Sequence, residues 1–332
     1  FLKIHPHALL RPSSERPEED RDTRATWLLG KDVLVGDIIA LYPDVLSIPS
    51  QEALAGLAQL AGDTDKASIR QLTKMDSSAY DSWRKHQKNF LDAFHDWPSI
   101  QMTLPRLLEI TPHIQPRLYS IASSPRVFPK SLELCMGVVR YDTPSSCARY
   151  GLASTMISRK VVSEDHIVCK VKQAPHMRLP VEASTRMICV CGGTGIAPFL
   201  GFLQDRAAQK ETGVNVGETM LYFGCRSDYD FLHCEQLRKW ESAGICRLSI
   251  SYSRKSGEKK QYVYQALMQD AELVRDVLDS DGSFYVCGSA STLAKDTIRV
   301  MQDILGKGDQ DQGMKLFSDL QEKGRVVLDV WG

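Results

Sequence analysis

The chain has 332 residues, which suits one large domain or two ordinary ones, and 43% of its residues are apolar, enough for a buried core. Lysine plus arginine and aspartate plus glutamate number 41 each, so no overall charge attracts nucleic acid or an anionic membrane. No apolar run approaches the roughly 18 residues of a membrane-spanning helix, so we expect no membrane segment.

The nine cysteines are an odd number, and Cys189, Cys191 and Cys287 lie in strand-like apolar runs. Such placement is typical of reduced, buried thiols and favours an intracellular protein. Cys189 and Cys191 could begin a zinc site, but no second pair of ligands follows, so we expect core packing and no metal. Because the chain opens with Phe1 instead of methionine, we expect the polypeptide to begin further upstream.

The first part of the chain divides at about residue 30. Residues 1–29 are polar and rich in arginine, glutamate and proline, which predicts a poorly ordered segment. Residues 30–115 carry apolar residues at helical spacing, interrupted by prolines and by Asp/Ser clusters. The helical runs are 51–62, 68–75, 82–97 and 104–110. We therefore expect an α-rich block of several short helices.

The pattern changes to strands in residues 116–184. Three runs separated by turn-rich loops resemble strands. They are 117–123, 132–141 and 166–171. A short helix should begin near Ser154, after the turn at Gly151. Together these features favour part of an antiparallel barrel.

Residues 185–332 alternate between strand and helix. The predicted strands are 186–191, 219–224, 246–252, 283–287 and 325–330. The predicted helices lie near 197–210, 230–242, 262–279, 290–305 and 312–323. This alternation predicts an α/β domain with a parallel, doubly wound sheet that helices cover on both faces.

A glycine-rich loop joins the first of these strands to the first helix. The segment 189–199 reads CVCGGTGIAPF, and Gly193, Thr194 and Gly195 lie at the turn. Glycines allow close backbone approach, and the following helix offers free N–H groups to a pyrophosphate. The segment matches neither the GxGxxG fingerprint nor a P-loop, so an ordinary turn is the competing interpretation.

The amino-acid sequence of this loop closely resembles that of the NADPH loop in the ferredoxin–NADP reductase superfamily. Further segments resemble that family's motifs in the same order. They are RLYSIASS (117–124), GLAS (151–154), LYFGCR (221–226) and YVCG (285–288). The ending LDVWG and the helical block before the flavin motif resemble the diflavin reductases, which include the NADPH–haemoprotein reductases and the reductase halves of fused haem-thiolate monooxygenases.

The resemblance implies a fold and a domain order. Residues 30–115 would be the helical connecting region, 116–184 the FAD-binding barrel, and 185–332 the NADPH-binding α/β domain. The family's barrel begins with strands that are not found in this chain, so we expect its N-terminal strands to be missing.

The resemblance also implies an FAD site. Arg117 would meet the pyrophosphate, Tyr119 would pack against the flavin ring, and Ser120 would lie near flavin N5. Tyr141 resembles the aromatic residue that stacks on adenine. The turn and helix start that hold the FAD pyrophosphate correspond to Gly151, Leu152, Ala153 and Ser154. Taken alone, Arg117 and Tyr119 would favour a surface arginine and a half-buried strand tyrosine, and the other motifs change that balance toward the FAD site.

A hydride site follows from the same resemblance. Ser120, Cys287 and Asp329 are expected to complete it, with Trp331 stacked on the flavin where nicotinamide must bind. Hydride transfer needs distance, exclusion of water and charge stabilisation, but no protein nucleophile. The competing interpretations are a core cysteine, a strand-end carboxylate and a packing tryptophan.

Selection of NADPH over NADH requires a 2′-phosphate site. Ser253, Arg254, Lys260 and Tyr262 resemble the family's cluster for that phosphate, since arginine and lysine provide charge-assisted hydrogen bonds. Arg226 is expected to contact the NADP pyrophosphate. A solvated basic loop is the competing interpretation.

The resemblance implies an NADPH-dependent, FAD-containing oxidoreductase. Electrons would pass through an FMN domain, expected upstream in the same polypeptide, to a haem-thiolate monooxygenase. The same chemistry could serve sulfite reductase, methionine synthase or nitric oxide synthase, and a catalytically silent NADP-binding interaction module is a further alternative. We expect a cytoplasmic location, or the cytosolic face of the endoplasmic reticulum if an anchor lies upstream.

Overall fold

The computed structural model describes residues 9–10, 33–74, 78–160 and 166–331. These residues fall into two compact units. The first comprises Phe1–Arg117 and Val139–Thr155, and the second comprises Leu118–Val138 and Met156–Gly332. Apart from Leu9 and Leu10, the polar segment predicted for residues 1–29 lies outside the described residues.

Short helices dominate the first unit, as the helical spacing predicts. They are α1 Val35–Leu41, α2 Gln51–Leu60, α3 Asp63–Leu72, α4 Ser78–Lys85, α5 Phe90–Asp96 and α6 Leu104–Ile110, and α7 Leu152–Ser158 begins in this unit. Two antiparallel strand pairs accompany them, β1 Leu9–Leu10 with β2 Val33–Leu34 and β3 Arg140–Asp142 with β4 Ala148–Tyr150. The predicted helix near Ser154 is confirmed as α7.

Side-chain caps decide where two of these helices begin. The Ser50 hydroxyl accepts a hydrogen bond from the Ala53 N–H and starts α2. Asn89 and Asp92 form a reciprocal capping box, which starts α5. The predicted run 82–97 is therefore two helices, and Gln87 between them has a φ of 53°. The core of this unit is apolar and includes Leu54, Leu57, Ile69, Phe90 and Phe94.

A five-stranded parallel sheet forms the centre of the second unit. Its strands are β5 Met187–Gly192, β6 Thr219–Cys225, β7 Arg247–Tyr252, β8 Ser283–Ser289 and β9 Val326–Trp331, in the order β7-β6-β5-β8-β9. Its helices are α8 Ala197–Glu211, α9 Cys234–Ser242, α10 Val263–Gln269, α11 Ala271–Asp279, α12 Lys295–Gly306 and α13 Gln310–Glu322. The predicted doubly wound parallel sheet is confirmed.

Two separate apolar clusters explain the continuous apolar runs of these strands. Cys189, Leu221 and Tyr285 belong to one cluster, while neighbouring strand residues such as Val190 and Val286 belong to the other. Alternate side chains of a strand point to opposite faces, so both faces of this sheet are buried. Cys189 and Cys191 are core residues, as expected.

The predicted helix 262–279 is interrupted at Asp270, which separates α10 from α11. The Asp270 carboxylate accepts a hydrogen bond from the Tyr222 hydroxyl at 2.7 Å. This contact with strand β6 holds the carboxylate at the junction. Spacing along the chain alone does not contain that information.

The strand predictions for residues 116–184 hold only in part. The first two runs meet at a single antiparallel bridge, Ile121 to Leu134, and only β3 is a regular strand at the end of the second run. The third run, 166–171, is not a strand, and Val168 and Val171 are exposed. An extended run becomes a strand only where a partner pairs with its backbone groups.

The described residues contain neither a candidate membrane-spanning helix nor a candidate metal cluster. None of their helices is both long and apolar enough to cross a membrane. They also contain no group of three or more His, Cys, Asp and Glu side chains arranged to hold a metal ion.

Arg206 of α8 is a buried cation that ties this helix to the start of the sheet. It is 2% exposed and donates to the Gly217 carbonyl and the Thr219 hydroxyl, both at 2.6 Å, and to the Thr185 carbonyl at 2.5 Å. Burial lowers the pKa of this guanidinium. These bonds therefore have to repay the loss of hydration.

We expect Arg206→Met to lower the free energy of unfolding by about 2–4 kcal/mol, because three acceptors lose their donor while the side-chain volume is kept. Chemical denaturation would measure the change. Arg299→Met, at an exposed position of α12, is the matched control and should change stability by less than about 0.5 kcal/mol. Equal effects of the two substitutions would contradict the proposed role of Arg206.

Candidate functional site

The strand order of the second unit creates a crevice of the kind in which ligands bind. The chain runs outward from β5 through β6 to β7, then returns to the other side of β5 to form β8 and β9. In such sheets a crevice opens at the carboxyl ends of the strands where the order reverses. Here that point lies between β5 and β8, and the glycine-rich loop follows β5.

The glycines of this loop are needed for two different reasons. Gly193 has a φ of 55°, and a Cβ placed there would meet nothing within 4 Å, so backbone conformation sets the requirement. At Gly195 a Cβ would lie 2.1 Å from the carbonyl oxygen of Cys287, so close packing sets it. Thr194 lies between them in a short 3₁₀ turn that leads into α8. The result is an open loop at the N-terminus of a long helix, which suits an anion.

Three predicted residues meet at the carboxyl ends of β8 and β9. The sheet register places Cys287 opposite Asp329. The Ser120 hydroxyl, 209 positions earlier, donates to Asp329 Oδ2 at 2.9 Å. The Cys287 thiol lies 3.7 Å from the same oxygen. One carboxylate oxygen therefore joins a hydroxyl and a thiol that the sequence separates widely.

The electrostatics of this cluster determine what the thiol can do. Burial raises the pKa of the Cys287 thiol well above its usual range, and the charge and hydrogen bond of Asp329 raise it further. The thiol therefore remains protonated at neutral pH and acts as a hydrogen-bond donor, not as a nucleophile.

Trp331 and Tyr119 lie close in sequence to this cluster. Trp331 ends β9, two residues after Asp329, so both side chains lie on the same face of the strand. Its indole is 46% exposed. Tyr119 is half-buried beside Ser120.

The remaining flavin-motif residues belong to the first unit. Arg117 is exposed, with one guanidinium nitrogen 3.9 Å from the Asp44 carboxylate and another donating to the Gln115 carbonyl. Tyr141 lies on β3 opposite Arg149 and is 43% exposed. An exposed cation and an exposed aromatic ring are thus present on this unit.

The turn before α7 is packed tightly. A Cβ at Gly151 would lie 2.8 Å from the Val139 Cβ and 2.7 Å from the Ser154 hydroxyl. Ser154 is buried, and its hydroxyl accepts a hydrogen bond from the Val139 N–H at 3.1 Å. This hydroxyl therefore holds α7 against β3, while Leu152 and Ala153 form the first turn of the helix.

The predicted phosphate-binding cations lie after β6 and β7. Arg226 forms a two-point ion pair with Asp230, at 2.9 and 2.7 Å. The Arg254 N–H donates to the Arg226 carbonyl at 2.8 Å, so the two loops lie side by side. Ser253 follows β7 directly and its N–H is bonded to the Cys225 carbonyl.

Lys260 and Tyr262 lie at the far end of the second loop. The Lys260 ammonium lies 4.8 Å from the centre of the Tyr262 ring, which in turn stacks on Tyr264. Tyr262 is also the N-cap of α10. The four residues of the predicted 2′-phosphate cluster are therefore on one continuous stretch between β7 and α10.

Sequence reasoning missed several charged partners. Asp230 lies four positions after Arg226, a spacing that could have suggested the pair. Asp228 and Lys255 form an ion pair between the two loops at 3.1 Å, which no local spacing predicts. Asp205 of α8 accepts a hydrogen bond from the Ser124 hydroxyl at 2.6 Å and thereby connects two segments within the second unit.

Comparison with known proteins agrees with this arrangement. Residues 29–156 match the family described as FAD binding domain, and residues 189–298 match the oxidoreductase NAD-binding domain. The chain is 35% identical to human NADPH–cytochrome P450 reductase over 309 residues and 36% identical to the Sus scrofa protein over 310 residues. Each match covers 88% of this chain and 45% of the relative. It is 32% identical to the Bacillus subtilis bifunctional cytochrome P450/NADPH–P450 reductase 1, covering 91% of the chain and 29% of the relative.

An FAD-binding part followed by an NAD(P)-binding part defines a flavoprotein oxidoreductase, with FAD and NADPH as its cofactors. Within that class, the chain belongs to the diflavin reductase family and corresponds to the FAD/NADP part of its members. The resemblance drawn from the sequence motifs is confirmed. The chain spans about 45% of the length of the mammalian relatives.

We expect Arg254→Ala to weaken NADP⁺ binding about tenfold or more while changing NAD⁺ binding less than twofold. A charged hydrogen bond to phosphate contributes roughly 1.5–3 kcal/mol to binding. NAD⁺ has no 2′-phosphate and does not make this hydrogen bond, so its affinity should change little. Titration calorimetry with both nucleotides measures the two constants. Equal losses for the two would show that Arg254 does not contact the 2′-phosphate.

Proposed function

We propose that this chain takes a hydride from NADPH and delivers it to FAD. The observation that carries the proposal is the Ser120–Asp329–Cys287 cluster at the carboxyl ends of β8 and β9. It lies beside the glycine-rich loop, because Gly195 packs directly against the Cys287 carbonyl. A phosphate-binding loop next to a carboxylate, a thiol and a hydroxyl suits the nicotinamide end of a dinucleotide.

The residues present fit both nucleotides. The space above Gly193 is open, and Arg254 and Lys260 supply cations after β7. Neighbouring strands lie about 4.8 Å apart, so the loops after β7 are about 14 Å from β8, a distance that an extended dinucleotide covers. On the first unit, Arg117 and Tyr141 offer an exposed cation and ring for FAD.

A bound flavin supplies the hydride acceptor, and the protein supplies position and charge. Asp329 would stabilise the positive charge that develops on the nicotinamide as the hydride leaves. Ser120 and Cys287 donate to this carboxylate and would fix its orientation. Trp331 would cover the flavin and shield it from water until nicotinamide binds.

The proposed domain division follows the family. Residues 30–115 would be the connecting region and 116–184 part of an antiparallel FAD-binding barrel, with 185–332 as the NADPH-binding domain and 1–29 as a peripheral segment. The match of residues 29–156 to the FAD-binding family supports the first two assignments.

The proposed electron path continues beyond this chain. Electrons would pass through an FMN domain in the same polypeptide to a haem-thiolate monooxygenase. The names of the mammalian and Bacillus relatives support this acceptor. We propose a cytoplasmic location, or the cytosolic face of the endoplasmic reticulum for an anchored form. The nine unpaired cysteines agree with a reducing compartment.

The FAD-loaded chain should lose its flavin absorbance when NADPH is added without oxygen, and NADH should act far more slowly. It should also reduce ferricyanide with NADPH while reducing cytochrome c only slowly, because an FMN domain would have to pass on single electrons. A flavin spectrum that NADPH does not bleach would instead favour a silent NADP-binding module. Fast cytochrome c reduction would contradict the need for FMN.

We expect Cys287→Ala to slow flavin reduction by NADPH about tenfold while leaving NADP⁺ affinity within twofold. The variant loses a hydrogen bond to the Asp329 carboxylate, which contributes about 1.5 kcal/mol or more. Stopped-flow absorbance measures the rate. Cys191→Ala is the control, since Cys191 is buried opposite Cys287 on the neighbouring strand and lacks the Asp329 contact. Equal rates for the two variants would make Cys287 a packing residue.

A further inference from the structure

The loops after β6 and β7 form one surface held together by the backbone. The Ser253 N–H donates to the Cys225 carbonyl at 3.0 Å, and the Arg254 N–H donates to the Arg226 carbonyl at 2.8 Å. The Gln261 N–H closes the second loop on Tyr252 at 2.9 Å. The carboxylates and cations of the two loops are therefore close enough to form ion pairs in more than one combination.

Lys255 lies at the junction of these loops. Its ammonium is 2.8 Å from Glu258 Oε1 and 3.1 Å from Asp228 Oδ1. It also lies 4.3 Å from the centre of the Tyr252 ring. Gly257, with a φ of 79°, makes the turn that returns Glu258 toward Lys255. One lysine thus pairs with a carboxylate from each loop and rests on an aromatic ring.

The charge balance around Lys255 supports a defined role for it. Hydrogen bonds from Lys255 and then Tyr252 hold the pKa of Asp228 below its usual range. The third carboxylate of these loops, Asp230, is paired with Arg226. All three carboxylates are therefore occupied.

The two cations assigned to the 2′-phosphate are left available. Among the described residues, no carboxylate forms an ion pair with Arg254 or Lys260, and both side chains are exposed. Lys260 instead lies over the Tyr262 ring. The pairing pattern separates the cations into two groups: Lys255 and Arg226 neutralise acids, and Arg254 and Lys260 face solvent.

We propose that Lys255 is a positioning residue for coenzyme selection, which keeps Asp228 and Glu258 from pairing with Arg254 and Lys260. This rests on the proposed function, in which those two cations bind the 2′-phosphate of NADPH. Without Lys255, two unpaired carboxylates would lie in the same surface. They would compete with the phosphate for the guanidinium and repel it as like charges.

The effect should be specific to the phosphate. NAD⁺ and 5′-ADP carry no 2′-phosphate, so the freed carboxylates would cost them little. The competition is electrostatic and lies at the surface, so it should weaken as salt is raised. A loop that simply lost its shape would weaken all ligands and would not respond to salt in this way.

The test is titration calorimetry of the full chain with 2′,5′-ADP, 5′-ADP and NAD⁺. Lys255→Gln should raise the Kd of 2′,5′-ADP about fivefold or more at low salt and leave the other two within twofold. Lys259→Gln removes an equal charge from the same loop, at a position with no carboxylate partner among the described residues, and should have a clearly smaller effect. The triple variant Lys255→Gln, Asp228→Asn, Glu258→Gln should return the Kd of 2′,5′-ADP to within twofold of the wild type.

The triple variant separates the proposal from its rivals. If it binds 2′,5′-ADP as weakly as Lys255→Gln alone, Lys255 contacts the phosphate directly and the proposal is overturned. If Lys255→Gln and Lys259→Gln lose the same affinity for 2′,5′-ADP, the effect comes from net charge alone and the proposal is overturned as well. If the wild-type chain binds neither 2′,5′-ADP nor NADP⁺, the proposed function itself fails. If the wild-type chain binds 2′,5′-ADP tightly and Lys255→Gln leaves the Kd unchanged, only the role of Lys255 is overturned.

Discussion

The close contact between Gly195 and the backbone of Cys287 determines the architecture of the site. No other residue would fit, since a Cβ there would overlap the Cys287 carbonyl oxygen. The contact seats the loop after β5 directly on the end of β8. The glycine-rich loop and the thiol carried by β8 are therefore neighbours. Strands β6 and β7 continue the sheet on one side of this contact, and β9 continues it on the other.

The strand order places two kinds of side chain on opposite sides of the glycine-rich loop. Cations collect after β6 and β7 on one side of the loop, and the Ser120–Asp329–Cys287 cluster lies at β8 and β9 on the other. In NADPH the 2′-phosphate lies at the adenosine end, the pyrophosphate lies in the middle, and the nicotinamide lies at the other end. In the proposed binding mode, the adenosine end would lie at the loops after β6 and β7 and the nicotinamide at the ends of β8 and β9. A net charge of zero is compatible with this, because only the local distribution of charge matters.

The α/β part of the fold could be predicted because its signals are local. Strands buried on both faces read as continuous apolar runs, and glycine marks the loop after β5. Features set by contacts between distant segments could not be predicted. The break at Asp270 coincides with a hydrogen bond from the Tyr222 hydroxyl of β6. The run 166–171 is not a strand, because strand pairing depends on a second segment. The site divides in the same way: motif resemblance gave Ser120, Cys287 and Asp329, whereas the Lys255–Asp228 pair joins two loops and has no sequence signature.

The charge on Asp329 connects these observations. A half-buried carboxylate beside a buried thiol raises the thiol pKa and would be costly without hydrogen bonds to compensate it. Ser120 and Cys287 provide those bonds on one of its two oxygens. Among the described residues, no lysine or arginine forms an ion pair with this carboxylate. In the proposed reaction, a cationic nicotinamide would be stabilised by that charge, whereas a neutral nicotinamide would gain little from it. Under the proposed function, the cluster would favour the charge distribution that forms as hydride leaves, which is the requirement for accelerating the transfer step.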